Sequence, residues 1–98
     1  MNEDTPGRGS PPQLHIWDAS AREFELGSLV DGEESWQVFV LVERTAPDLC
    51  RGRVSFRRGE ERHDSEAILV EEDEAELLRR AAELPASMLR RILTTLQG

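Results

Sequence analysis

Both histidines sit beside residues that could do hydrolytic chemistry. "HIWDAS" (residues 15–20) and "RHDS" (residues 62–65) each place an aspartate and a serine close to a histidine, the residue types of a Ser-His-Asp site. Such a site is defined by geometry, and neighbours in sequence rarely provide it. Neither serine lies in the G-x-S-x-G elbow that would expose a nucleophile. Twenty acidic residues in a chain of 98 put aspartate next to histidine by chance. The chain therefore reads as a non-enzyme.

Metal and phosphate chemistry find equally little. One cysteine and two distant histidines cannot close a zinc site without carboxylates. The five acids between Glu71 and Glu76 lack the alternate spacing and turn glycine of a calcium loop. They suit a solvated helix N-terminus better. Cys50 precedes Arg51, a setting that can favour a thiolate, but a small, partly buried role is the simpler reading. "GRG" and "RGR" are too short to cradle a phosphate. No cofactor or metal is expected.

The charged stretch "RGRVSFRRGEERH" carries Arg51, Arg53, Arg57, Arg58 and Arg62. In a strand, Arg53 and Arg57 share a face and offer cations to an acidic protein surface or to single-stranded nucleic acid. An exposed Phe56 would then be a stacking group. The opposing reading pairs these arginines with Glu43, Glu60, Glu61 and Glu66 on neighbouring strands, where each pair contributes little.

Those arginines need strands to present them. "SWQVFVLVER" (residues 35–44) is the clearest. Trp36, Val38, Val40 and Val42 point to one face, and Phe39 and Leu41 to the other. A strand with one wet face would alternate apolar with polar residues, so both faces need cover. The cover predicted for the second face is a sheet curled on itself at Gly27. The segment "LHIW", or a second copy of the chain or a different protein, are the other candidates.

Before this strand, "REFELGSLV" changes apolar phase at Gly27, as a β-bulge does. "DGEE" then marks a hairpin turn. "TAPDL" breaks the next connection, "RGRVSFRR" forms a third strand, "GEERHD" a polar turn, and "SEAILV" a fourth strand with Ile68, Leu69 and Val70. The period then changes. Leu77, Leu78, Ala81, Ala82 and Leu84 mark one helix, and Met88, Leu89, Ile92, Leu93 and Leu96 mark a second, with Pro85 at the junction. The last apolar stripe is predicted to pack on the sheet, the alternative being a partner's groove.

The fold expected is α+β: a four-stranded antiparallel meander, strongly twisted or partly rolled, followed by two C-terminal helices packed on one face. Residues 1–12 combine three prolines and two glycines and read as a disordered tail; residues 13–98 read as a single small domain.

Charge and composition narrow the partners. The net charge of −8 opposes general nucleic-acid binding, which rests on phosphate contacts. Residues 1–49 hold ten acids against three arginines and residues 50–98 ten against nine, so the charge is polarised along the chain. All twelve basic residues are arginine, which suggests a GC-rich, bacterial genome. No secretory signal is read at the start and no apolar run approaches the ~20 residues of a membrane span, so a cytoplasmic location is expected.

The functional expectation is a non-enzymatic protein-interaction module, a small bacterial regulator or accessory subunit. Its partner would be another protein, a second copy in a homodimer included, and not a membrane. The residues expected to bind are Phe39, Leu41, Arg53, Phe56, Arg57 and Arg58. The alternative is a nucleic-acid-binding module that uses the arginine-rich hairpin 51–62.

Overall fold

The computed structural model describes residues 21–98. The expected tail over 1–12, the lead-in at 13–20 and the "HIWDAS" stretch lie outside those residues. Five strands, β1 (Ala21–Asp31), β2 (Glu34–Ala46), β3 (Leu49–Arg58), β4 (Glu61–Asp64) and β5 (Leu69–Glu71), precede two helices, α1 (Glu74–Ala82) and α2 (Ala86–Gln97). The sheet is antiparallel in the order β1-β2-β3-β4, with β5 paired to the other end of β3. The architecture is the α+β meander with a C-terminal helix pair, and the sheet is not closed.

Long apolar stretches with turn residues between them produce the first three strands. Gly32 and Glu33 close the β1–β2 hairpin, with Asp31 opposite Glu34. Pro47 and Asp48 separate β2 from β3. The phase change at Gly27 is a register shift between Glu25 and Gly27, with Leu26 as the extra residue. Gly27 takes φ +143°, a backbone state that a side chain would strain.

One sheet face is the core. Trp36, Val38, Val40 and Val42 are all buried there, none more than 3% exposed. Opposite them across β3 lie Phe56, Val54 and Gly52, which share that face by register. The helices lie along it at its two ends. Leu93 of α2, with Leu89, Ile92 and Leu96, packs on Leu29, Trp36, Val38, Val54 and Phe56. Leu77 and Ala81 of α1 pack on Val40, Val42, Cys50 and Leu69. Leu84, in the link between the helices, touches both clusters.

Gly52 sets how close α1 can come. A Cβ on this residue would stand 2.9 Å from Leu77 Cδ2 and 3.3 Å from Cδ1, so only glycine leaves room for that leucine. Helix α1 is capped by Asp73, whose Oδ1 accepts from the Glu76 N–H at 2.8 Å. Acids fill its first turn and Arg79 and Arg80 its last, in accord with the helix dipole. Pro85 stands at the N-cap of α2 and so belongs to the start of the second helix. Arg22 on β1 pairs with Glu74 at 3.0 Å, and Arg90 Nε donates to the Val30 carbonyl at 2.9 Å, tying both helices to the edge strand.

The fourth strand differs from expectation. Residues 61–64, read as a turn, are β4, and 65–68, read as strand, are not. The Ser65 N–H donates to Val54 O and the Ile68 N–H to Gly52 O, while Ser65 Oγ accepts from the Val54 N–H at 2.9 Å. A side chain thus replaces one rung of the ladder and the edge strand splits in two. Only Leu69 of the apolar triplet is buried; Ile68 and Val70 are exposed, as is Met88 on α2.

Candidate functional site on the open sheet face

Alternate residues of the strands form a second face that neither described helix covers. By register, Glu25, Phe39, Ser55 and Asp64 make one row across β1 to β4. Glu23, Leu41 and Arg53 make the next, and Glu43, Arg51 and Val70 a third. Phe39 and Leu41 are half-buried. The question raised by the two-faced strand is answered partly by arginine. The Arg57 guanidinium carbon lies 4.2 Å from the Phe39 ring centroid, a cation–π contact worth roughly 0.5–1 kcal/mol at an exposed site. The sheet does not close on itself to supply the cover, and "LHIW", the other intramolecular candidate, lies outside the described residues.

Arg57 is held in that pose from both sides. Its two terminal nitrogens each donate to one Glu23 oxygen at 2.8 Å, the bidentate geometry that favours arginine over lysine. Its Nε donates to Ser55 Oγ at 3.1 Å, and Ser55 Oγ donates in turn to Asp64 Oδ1 at 2.6 Å. Arg62 Nε completes the chain on Asp64 at 3.0 Å. Hydrogen bonding from Arg57 holds the Glu23 carboxyl below its ordinary value. Partial burial pushes Asp64 up, but the hydrogen bonds from Arg62 and Ser55, with the arginine charges, outweigh it and leave Asp64 low. The hydrogen bond to Glu23 raises Arg57.

Beside this network the face is unoccupied by ion pairs. Arg51 and Arg53 are exposed and have no carboxylate partner among the described residues. With Leu41, Glu43 and Ala67 they border a depression of about 210 Å³. A wider hollow of about 540 Å³ adjoins it at the break in the edge strand, beside Asp64, Ser65 and Glu66.

The expected binding residues divide accordingly. Phe39, Leu41, Arg53 and Arg57 come together on the open face. Phe56 does not: its side chain is fully buried under α2 and cannot stack on a ligand. Arg58 points to the helix side, between Glu34 and Glu61 and near the Trp36 ring. The arginines do pair with acids, but with Glu23, Glu34, Glu61 and Asp64, of which only Glu61 was expected. The sequence reading missed Glu23, Ser55 and Asp64, because a cross-strand network depends on register, and a glutamate 34 residues from Arg57 leaves no local signal.

The "RHDS" stretch does not assemble a catalytic site. His63 faces the helix side, edge-on to Trp36, with Nε2 2.8 Å from Glu61. Asp64 is bound to Ser55 and Arg62 on the opposite face. Ser65 Oγ is engaged with the Val54 N–H and the Glu66 carbonyl. Cys50 is buried beneath α1. Among the described residues no group of three or more His, Cys, Asp or Glu side chains is placed to hold a metal ion, and no helix is long and apolar enough to cross a membrane. No protein-family model, curated protein or solved structure matches the chain.

Proposed function

We propose that this chain is a non-enzymatic protein-interaction module, a small regulator or accessory subunit, that docks its partner on the open sheet face. The observation that carries this reading is that half-buried Leu41 and Phe39 share a face with Arg51 and Arg53, which have no carboxylate partner among the described residues, and that neither described helix covers that face. An apolar centre rimmed by arginine resembles the composition of protein interfaces. A cytoplasmic, bacterial setting agrees with the lone cysteine and the arginine-only basic residues.

The nucleic-acid alternative has less in its favour. Its stacking residue, Phe56, is buried, and Arg57 and Arg62 already hold carboxylates. On the open face Arg51 and Arg53 remain for phosphates among the described residues, on a chain of net charge −8.

The test is retention from a cell extract on the immobilised chain. A partner protein should be held by the natural sequence and by Ala82→Glu, an exposed change on α1. Leu41→Glu should release it while circular dichroism shows the fold intact. Equal retention by both variants refutes the proposal, as does no retained protein together with no self-association of the chain.

A further inference from the structure

The charges of the open face point to its occupant. The strand positions there carry four acids, Glu23, Glu25, Glu43 and Asp64, and four arginines, Arg51, Arg53, Arg57 and Arg62. Among the described residues the face is therefore neutral, on a molecule of net charge −8. A surface evolved for an acidic partner would carry a basic excess, and one for a basic partner an acidic excess. This face is instead polarised: three of the acids lie on β1 and β2, and all four arginines on β3 and β4. A neutral, polarised face is complementary to itself, and a two-fold contact between identical chains uses the same patch twice.

We infer that the open sheet face is the contact between two copies of this chain, stacked sheet on sheet about a two-fold axis parallel to the strands. That axis lays β3 of one copy over β2 of the other. Arg51 then faces Glu43 of the second copy and Arg53 faces Leu41 and reaches Glu25 on the diagonal, while Glu25 lies over Asp64, whose charge Arg62 already binds. Sheets pack about 10 Å apart, a gap that arginine and glutamate side chains bridge from opposite sides. A perpendicular in-plane axis would lay β1 on β1 and β3 on β3, setting the acids of β1 and the arginines of β3 each against their own copies with no opposite charge across the contact. Exposed Val30 and Val70 lie on the same face and would be covered by the same contact. At the usual strand spacing and rise, three strands of ten or more residues and the short, split edge strand project on the order of 600 Å² per copy, near the ~800 Å² of accessible surface that each partner contributes to a standard interface.

This inference names the partner for the proposed docking face and rests on that reading. It is tested by sedimentation equilibrium of the full chain from micromolar to millimolar concentration. The natural sequence should reach twice the 11.1 kDa of one chain. Arg51→Glu with Arg53→Glu should weaken the dimer at least about tenfold, and so should Glu25→Arg with Glu43→Arg, because each sets like charges against each other. Mixing the two charge-reversed chains should restore a heterodimer, which also proves both folded. A natural chain that stays at 11.1 kDa throughout overturns the inference, as does a dimer indifferent to either reversal. A monomer that still loses a captured protein on Leu41→Glu would leave the docking face standing with a different occupant.

Discussion

Arg57 shows how a single residue settles what an apolar pattern leaves open. A phenylalanine on the wet side of a sheet is costly, and the guanidinium lowers that cost, because its planar face lies on the ring while its edge binds Glu23 and Ser55. The arrangement has an acid-side consequence. Glu23 and Asp64 titrate below their ordinary values of 4.5 and 3.8, so each stabilises the fold above those values. That contribution disappears as pH falls through the lowered native values, where both states bind the proton equally. Glu23→Gln and Asp64→Asn should therefore destabilise at neutral pH and flatten the loss of stability below about pH 4. Urea midpoints across that range would show it, and an acid limb unchanged in both variants would mean the network contributes nothing. Gly52 carries the opposite lesson, a residue whose importance is the absence of a side chain. Gly52→Val should cost about 1–3 kcal/mol by overpacking Leu77, read as a lowered denaturant midpoint.

At the scale of elements, the sequence is legible where one residue type does one job. The four alternate apolar positions of β2, the Asp-Gly hairpin and the phase change at Gly27 each reflect a local rule, and each appears in the structure. Pro85 and the two apolar stripes likewise locate the helix pair. Legibility fails at the edge strand. "SEAILV" looks like a strand because three branched apolar residues adjoin, yet their pairing depends on Ser65, whose hydroxyl takes the place of a backbone acceptor. It also fails at Phe56 and Arg58, since a strand pattern shows which residues share a face but not which face the helices choose. The register decides that by setting Phe56 opposite Val38. The central position of β2 makes the sharpest check. Val40 has no exposed surface and sits between Phe24 on β1 and Val54 on β3. Val40→Ala should cost about 1–3 kcal/mol through lost burial and the cavity left behind. A neutral result in chemical denaturation would remove β2 from the centre of the sheet.

Over the whole molecule, charge discriminates between the two functional readings more sharply than shape does. The chain as a whole repels polyanions, and attraction at the open face depends on the two arginines left without carboxylates among the described residues. Engaging two phosphates of a single strand gives a salt slope of only about −1.4, since each contact releases about 0.7 of a counterion. So small a term, working against the net charge, should give no saturable binding of a mixed-sequence single-stranded oligonucleotide at about 0.15 M salt. Fluorescence anisotropy of a labelled oligonucleotide measures this directly. Titration should stay flat for the natural chain and for Arg51→Glu with Arg53→Glu alike. Tight binding that falls with a log–log slope steeper than about −3 would require at least four phosphate contacts. Arg57 and Arg62 would then have to leave Glu23 and Asp64, and the arginine hairpin, not the apolar centre at Leu41, would be the working surface.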